Sequence, residues 1–281
     1  MPLKDLLIHL DSYPYPTPSA EIADAVAFAA SLGATLTALA VGIRIPLESN
    51  RIADYLIGLS KAVAEQEAES DAACRKMLAE FTAKAQAAQV FGEAVGKVCD
   101  LYGVNDLVVR EARTRDLCLI PLGPRYSGQQ EVAEAVVFQS GRPVLIFTGG
   151  KAHFAQGLKR VVVAWDGSAC AARAVAEALP LLRVAAEVRI LAVLGEKPTL
   201  RAGMAPALVR HLAAHGISGD LDEVEAHGSK IGDVLDAYLH DTVPDLLVMG
   251  AYGHSRLREF ILGGATEHMI TAGKVPTFLS H

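Results

Sequence analysis

Gly250, Gly253, Gly263 and Gly264 are the residues whose type and spacing point most directly to chemistry. They follow the apolar run Leu246–Met249 and lead into a segment of helical pattern, with a short apolar run after Val275-Pro276. Glycine lets a backbone approach a ligand closely, and the free N–H groups of a helix start can hold an anion. The expectation is a phosphate-binding loop at the carboxyl edge of a parallel sheet; simple strand-to-loop turns are the plainer reading. A second group, Asp166-Gly167-Ser168, closes another apolar run. An ionised aspartate only accepts hydrogen bonds, so Asp166 suits ribose hydroxyls or an adenine amine and would repel phosphate. The same triplet serves equally well as a turn and helix N-cap.

Other chemistries lack their residues. The chain has no GxxxxGK(S/T) loop, no GxSxG elbow and no HExxH helix. His227, His254 and His268 lie in the second half, but nothing in the sequence sets one beside a nucleophile. No carboxylate pair is placed by motif to hold magnesium. The nine histidines show no ligand spacing, so no metal site is expected. Cys74, Cys99, Cys118 and Cys170 are scattered without a CxxC pair, which fits reduced thiols in a cytoplasm. The 281 residues are 51% apolar and 21% charged, enough for a substantial core. A net charge of -6 argues against a nucleic-acid partner. No apolar run approaches membrane-spanning length. The opening MPLKDLLIHLDSYPYP reads as a first strand.

The elements that would position these residues are written twice. LKDLLIHLDS (3–12) matches LKRVVVAWDG (158–167), each run ending in an aspartate, Asp11 and Asp166. Alanine-rich helical patterns follow at Ala20–Leu32 and Cys170–Leu182, then the apolar runs 34–41 and 187–194. DLCLIPLG (116–123) matches DLLVMGAY (245–252), and both halves close on Pro-flanked runs, RPVLIF and VPTFLS. Such repetition means two copies of one domain, read here as 1–148 and 157–281 with TGGKAHFAQG (148–157) between them. Apolar runs alternating with helical ones predict an α/β fold of two tandem doubly wound parallel-sheet domains. Asp166 and Gly250 would meet at the switch in strand order if the first and fourth strands of that half are neighbours. The first copy is longer, chiefly through the helical stretch 52–88. Its Glu65, Glu67, Glu69, Asp71, Arg75 and Lys76 read as a solvated face, with a partner groove as the alternative.

On these residues the second half resembles a universal stress protein domain, and the whole chain resembles a tandem member of that family. Gly250-Ala-Tyr-Gly253, nine residues and then Gly263 reproduce the family's spacing, but Gly264 stands where a Ser or Thr is usual. The resemblance implies a Rossmann-like, adenine nucleotide alpha hydrolase-like fold. It implies ATP phosphates on Gly250, Gly253, Gly263 and Gly264, and the nucleoside at Asp166, with Gly167 and Ser168 beside it. Val193 would offer its backbone to adenine, although a valine in an apolar run is commonly core. The hydroxyl missing at Gly264 is worth roughly 1.5–3 kcal/mol, or about tenfold to over a hundredfold in affinity. Thr266, His254 or Arg256 could replace it in part; Thr266 reads equally as a helix cap.

The first half has lost the loop. Pro124-Arg125-Tyr126-Ser127-Gly128-Gln129-Gln130 follows its fourth run, and Ser12-Tyr13-Pro14-Tyr15-Pro16 replaces the Gly-Ser turn. Prolines remove N–H donors, so this half is not expected to bind ATP. The functional expectation is a cytoplasmic stress-response regulator that binds ATP, with ADP or AMP as alternatives and magnesium left open. Little or no hydrolysis is expected, because no base or transition-state clamp is visible. The competing readings are a nucleotide-free interaction protein and an enzyme such as a nucleotidyl transferase. Neither nucleic acid nor membrane is expected as a partner. The two halves should pair within the chain as a pseudo-dimer, while a homodimer and any protein partner are left open.

Overall fold

Runs rich in Val, Ile and Leu are stable as strands where both faces are covered, and the chain arranges them so. The computed structural model describes residues 2–46, 59–123, 128–150, 154–195, 204–251 and 264–281. In the first half come β1 (Asp5–Asp11), α1 (Ser19–Leu32), β2 (Thr35–Arg44), α2 (Leu59–Ala87) and β3 (Phe91–Asp100). They are followed by α3 (Val104–Ala112), β4 (Leu117–Pro121), α4 (Gly128–Gln139) and β5 (Val144–Phe147). The second half holds β6 (Arg160–Ala164), α5 (Ala169–Val184), β7 (Glu187–Leu194), α6 (Met204–Ala214) and β8 (Gly219–Glu225). It closes with α7 (Ile231–Thr242), β9 (Leu246–Gly250), α8 (Gly264–Ala272) and β10 (Thr277–Ser280).

Within each half the strands are parallel and doubly wound, in the order β3-β2-β1-β4-β5 and its counterpart β8-β7-β6-β9-β10. Alternation sends Leu6, Ile8 and Leu10 into one core and Leu7 into the other. The first core packs under α1, α2, α5 and α6 through Phe28, Phe81, Leu181 and Leu212. The second packs under α3, α4, α7 and α8 through Val108, Val136, Leu239 and Ile270.

One sheet per half was the expectation; the structure joins them into a single ten-stranded sheet. The seam is β5 against β10, antiparallel, with Phe278 opposite Leu145. Both strands are buried along their whole length. Left open, each would present an unpaired apolar edge, and pairing them removes that liability. The pseudo-dimer within the chain takes this form. The segment between the halves is pinned to α1, where the ring of Phe154 packs edge-on against Phe28 with centroids 4.8 Å apart.

The long α2 buries one stripe, Ser70, Cys74, Met77, Phe81 and Ala85, at helical spacing. Glu65, Glu69, Arg75 and Lys76 are exposed as expected. Glu67 and Asp71 are not merely solvated. Glu67 Oε1 accepts the Ile45 N–H at 2.9 Å, and Asp71 accepts both terminal nitrogens of Arg44 at 3.1 and 3.0 Å. These contacts tie α2 to the end of β2. The part of the insertion before residue 59 lies outside the described residues.

Candidate functional site

β6 lies between β7 and β9, and so the first and fourth strands of the second half are neighbours at the switch in strand order. Asp166 sits just beyond the end of β6. Its Oδ1 accepts the Ser168 N–H at 2.9 Å, and Gly167 between them takes a left-handed φ of 72°. That conformation favours glycine. Ser168 caps α5, its hydroxyl accepting the Ala171 N–H at 3.1 Å. The turn-and-cap reading of this triplet is therefore realised, and it brings the N-terminus of a 16-residue helix to the carboxyl edge.

Gly250 ends β9 directly beneath that helix. A Cβ there would lie 2.5 Å from Ala171 N and 2.6 Å from the Cys170 carbonyl carbon. The space a side chain would need is filled by α5, so glycine at this position is a packing requirement of the fold. Val193 has a buried side chain in the core of β7, as the plainer reading held. Its peptide is placed differently. The last rung between β6 and β7 is the Trp165 N–H on Leu191 O at 2.8 Å, while Leu194 O turns to β8 through Ala226 N. Strand alternation sets the Val193 peptide on the β6 side, one step past that rung and level with Asp166.

Gly264 begins α8 and is exposed. A Cβ there would meet only Ile231 Cγ2 at 3.7 Å, so a side chain fits. Thr266 corrects the cap expectation: it lies inside α8 on the buried face, 3% exposed, and is not at the helix entrance. His268, further along α8, lies with Nε2 3.0 Å from Asp236 Oδ2, out of line for a hydrogen bond. Gly253, His254, Arg256 and Gly263 lie outside the described residues.

The first half fills its own crevice. Continuing the same register, Asp11 pairs with Val41, the counterpart of Val193. Here Ser12 Oγ donates to Val41 O at 2.6 Å, Ser70 Oγ lies 2.6 Å from Ser12 Oγ, and the Ile43 N–H donates to Ser70 Oγ at 3.1 Å. Each hydroxyl has one proton, so the chain runs Ile43 to Ser70 to Ser12 to Val41 with no conflict. The Asp11 carboxylate lies against His9 Nε2 at 3.0 Å, and its N–H donates to Thr17 Oγ1 at 2.9 Å. The role of Ser70 is invisible to sequence, because a serine on an amphipathic helix carries no sign of the distant strand end it reaches. Next to this cluster, burial pushes the Glu21 carboxyl up to about 7, Gly149 N–H opposes the shift, and Asp24 and Asp11 add to it. No group of three or more potential metal ligands occurs among the described residues. No helix among them is long and apolar enough to cross a membrane.

The universal stress protein family model matches residues 157–281. The second half is a universal stress protein domain. A universal stress protein from Archaeoglobus fulgidus DSM 4304 aligns over 98% of this chain and 95% of its own, with a TM-score of 0.74 at 18% identity. That likeness covers both halves and shows that the chain shares the fold of that protein along its length. A protein of Pseudomonas aeruginosa UCBPP-PA14, provisionally described as a universal stress protein, aligns over 99% of this chain and 93% of its own. Its TM-score is 0.57 at 13% identity. A universal stress protein solved in complex with cAMP aligns over 44% of this chain and 98% of its own, with a TM-score of 0.35 at 23% identity. No curated protein matches the sequence.

Proposed function

We propose that residues 157–281 bind an adenine nucleotide, ATP first and ADP or AMP as alternatives, and that residues 1–148 are a degenerate partner domain. The chain then acts as a stress-response regulator whose nucleotide state changes its shape or contacts, with little or no hydrolysis. The observation that carries this reading is the asymmetry between the two crevices. Among the described residues, the hydroxyl pair that closes the first has no counterpart in the second: Gly167 stands where Ser12 stands. The helix α6 that replaces α2, MAPALVRHLAA, contains no hydroxyl residue. Asp166 and the Val193 peptide line one side of that second crevice, and the N-terminal turns of α5 and α8 supply N–H groups and positive helix ends suited to phosphate.

Two measurements test it. Mass spectrometry of small molecules that co-purify should find an adenine nucleotide. Added ATP should raise the melting temperature, with stabilisation near 2.7 kcal/mol at about a hundredfold excess over the dissociation constant. Trp165, the one tryptophan, precedes Asp166 and gives a fluorescence readout of the same titration. Gly253→Val should abolish the shift by blocking phosphate approach; an unchanged shift sinks the loop assignment. No shift with ATP, ADP or AMP favours the nucleotide-free interaction protein.

The departure at Gly264 supplies a gain-of-function arm. Space exists for a side chain there, and Gly264→Ser would add one hydroxyl donor to a charged phosphate. Affinity for ATP should rise by about tenfold or more. An equal affinity in the serine variant would show that no phosphate oxygen lies at the start of α8.

A further inference from the structure

Cys170 and His281 stand 111 positions apart in sequence and meet beside the candidate crevice, with Cys170 Sγ 3.6 Å from His281 Nδ1. Cys170 is the second residue of α5, where the positive end of a helix favours a thiolate. His281 is exposed, but its ring is held from two sides. Nδ1 lies 2.9 Å from Ala251 O, and the ring packs edge-on against Phe138 of α4 with centroids 4.9 Å apart. Its backbone oxygen accepts Arg173 Nη1 at 3.0 Å. The carbonyl contact requires the hydrogen to sit on Nδ1, so the nitrogen 3.6 Å from the sulfur is a donor that the carbonyl and the sulfur share. A donor aimed at sulfur stabilises the thiolate over the thiol. A thiol in the first turn of a helix with an imidazole N–H beside it sits in the electropositive, partly exposed surrounding that activates thiols.

We propose that Cys170 is a reactive-thiol modification site for small hydroperoxides, with His281 as its positioning residue. The Cys170 thiolate attacks one oxygen of hydrogen peroxide. A sulfur–oxygen bond forms as the oxygen–oxygen bond breaks, and hydroxide leaves and takes the proton released by the thiol to become water. The sulfur is oxidised to a sulfenic acid and the peroxide is reduced. The other three thiols are held back: burial pushes Cys118 up to about 12 and also raises Cys74 and Cys99. Cys99 is half-buried like Cys170 and is the internal comparator. The site stands on this geometry alone and does not depend on nucleotide binding.

The test treats the full chain with one equivalent of hydrogen peroxide, traps sulfenic acid with dimedone and maps the labelled peptides. Cys170 should carry most of the label; equal or greater labelling of Cys99, or none at Cys170, overturns the proposal. His281→Phe keeps a ring against Phe138 and removes the N–H. Loss of that donor lowers the thiolate fraction at pH 7, and the greater intrinsic nucleophilicity of the remaining thiolate offsets part of the loss. Alkylation of Cys170 by iodoacetamide should therefore slow by about threefold at pH 7, a difference that closes as pH rises and the thiol ionises in both proteins. Equal rates at pH 7 in a variant that melts like the parent would remove His281 from the site.

Discussion

Replacing Gly250 with alanine will destabilise the protein by about 3 kcal/mol or more, lowering its melting temperature by on the order of 10 °C. The added methyl would sit 2.5 Å from Ala171 N and 2.6 Å from the Cys170 carbonyl carbon. These are backbone atoms of a helix held by its own hydrogen bonds and by the Ser168 cap, so neither can step aside alone. Relief requires α5 to lift from β9, which exposes Ala174, Val175, Ala178 and Leu181 from the core on that face. Gly264→Ala is the control. Its methyl would find Ile231 at 3.7 Å, and alanine is the better helix former, so stability should hold or rise slightly. A Gly250→Ala protein that melts with the parent would mean that the first turn of α5 does not lie on this strand. Loss of nucleotide binding in that variant would say nothing about phosphate contacts until stability had been measured.

The same glycine shows what sequence could and could not convey. Close approach to the backbone at Gly250 is legible in the residue type; what approaches is not, because a helix and a phosphate make the same demand. The duplication and the alternation of strands and helices are legible because they are local and periodic. So is the Asp166-Gly167-Ser168 turn, whose residues each have a short-range reason to be there. The fusion into one sheet is not, since β5 and β10 meet through a pairing that no window of sequence contains. Thr266 shows the limit of a capping argument: a threonine near a helix start caps only if it precedes the first turn, and here it lies within it. Glu67 and Asp71 look like any solvated acids until α2 is laid across the end of β2. Ser70 and the Cys170–His281 pair are of the same kind, depending on contacts far apart in the chain.

Stability should also carry the mark of Glu21, and here the direction in pH is definite. Glu21 lies in the first turn of α1, 3% exposed, with Oε2 buried and unpartnered. Burial is the main cause that raises its carboxyl from 4.5 to about 7; the Gly149 N–H lowers it, and Asp24 and Asp11 raise it further. The folded value is thus above the unfolded one. Below pH 4.5 both states hold the proton and the group costs nothing. Between 4.5 and about 7 the unfolded chain releases its proton while the native state retains it, so stability falls by about 1.4 kcal/mol per pH unit. Above about 7 the native carboxylate is ionised in place and the loss levels off near 3 kcal/mol. Glu21→Gln keeps the shape and an acceptor for Gly149 but removes the charge. Its urea midpoint should match the parent at pH 4, exceed it increasingly from pH 5 to 7, and keep a constant lead above pH 8. Two curves that run parallel across that range would mean that the Gly149 hydrogen bond offsets the burial in full, and that ionising Glu21 does not destabilise the clasp between α1 and the segment joining the halves.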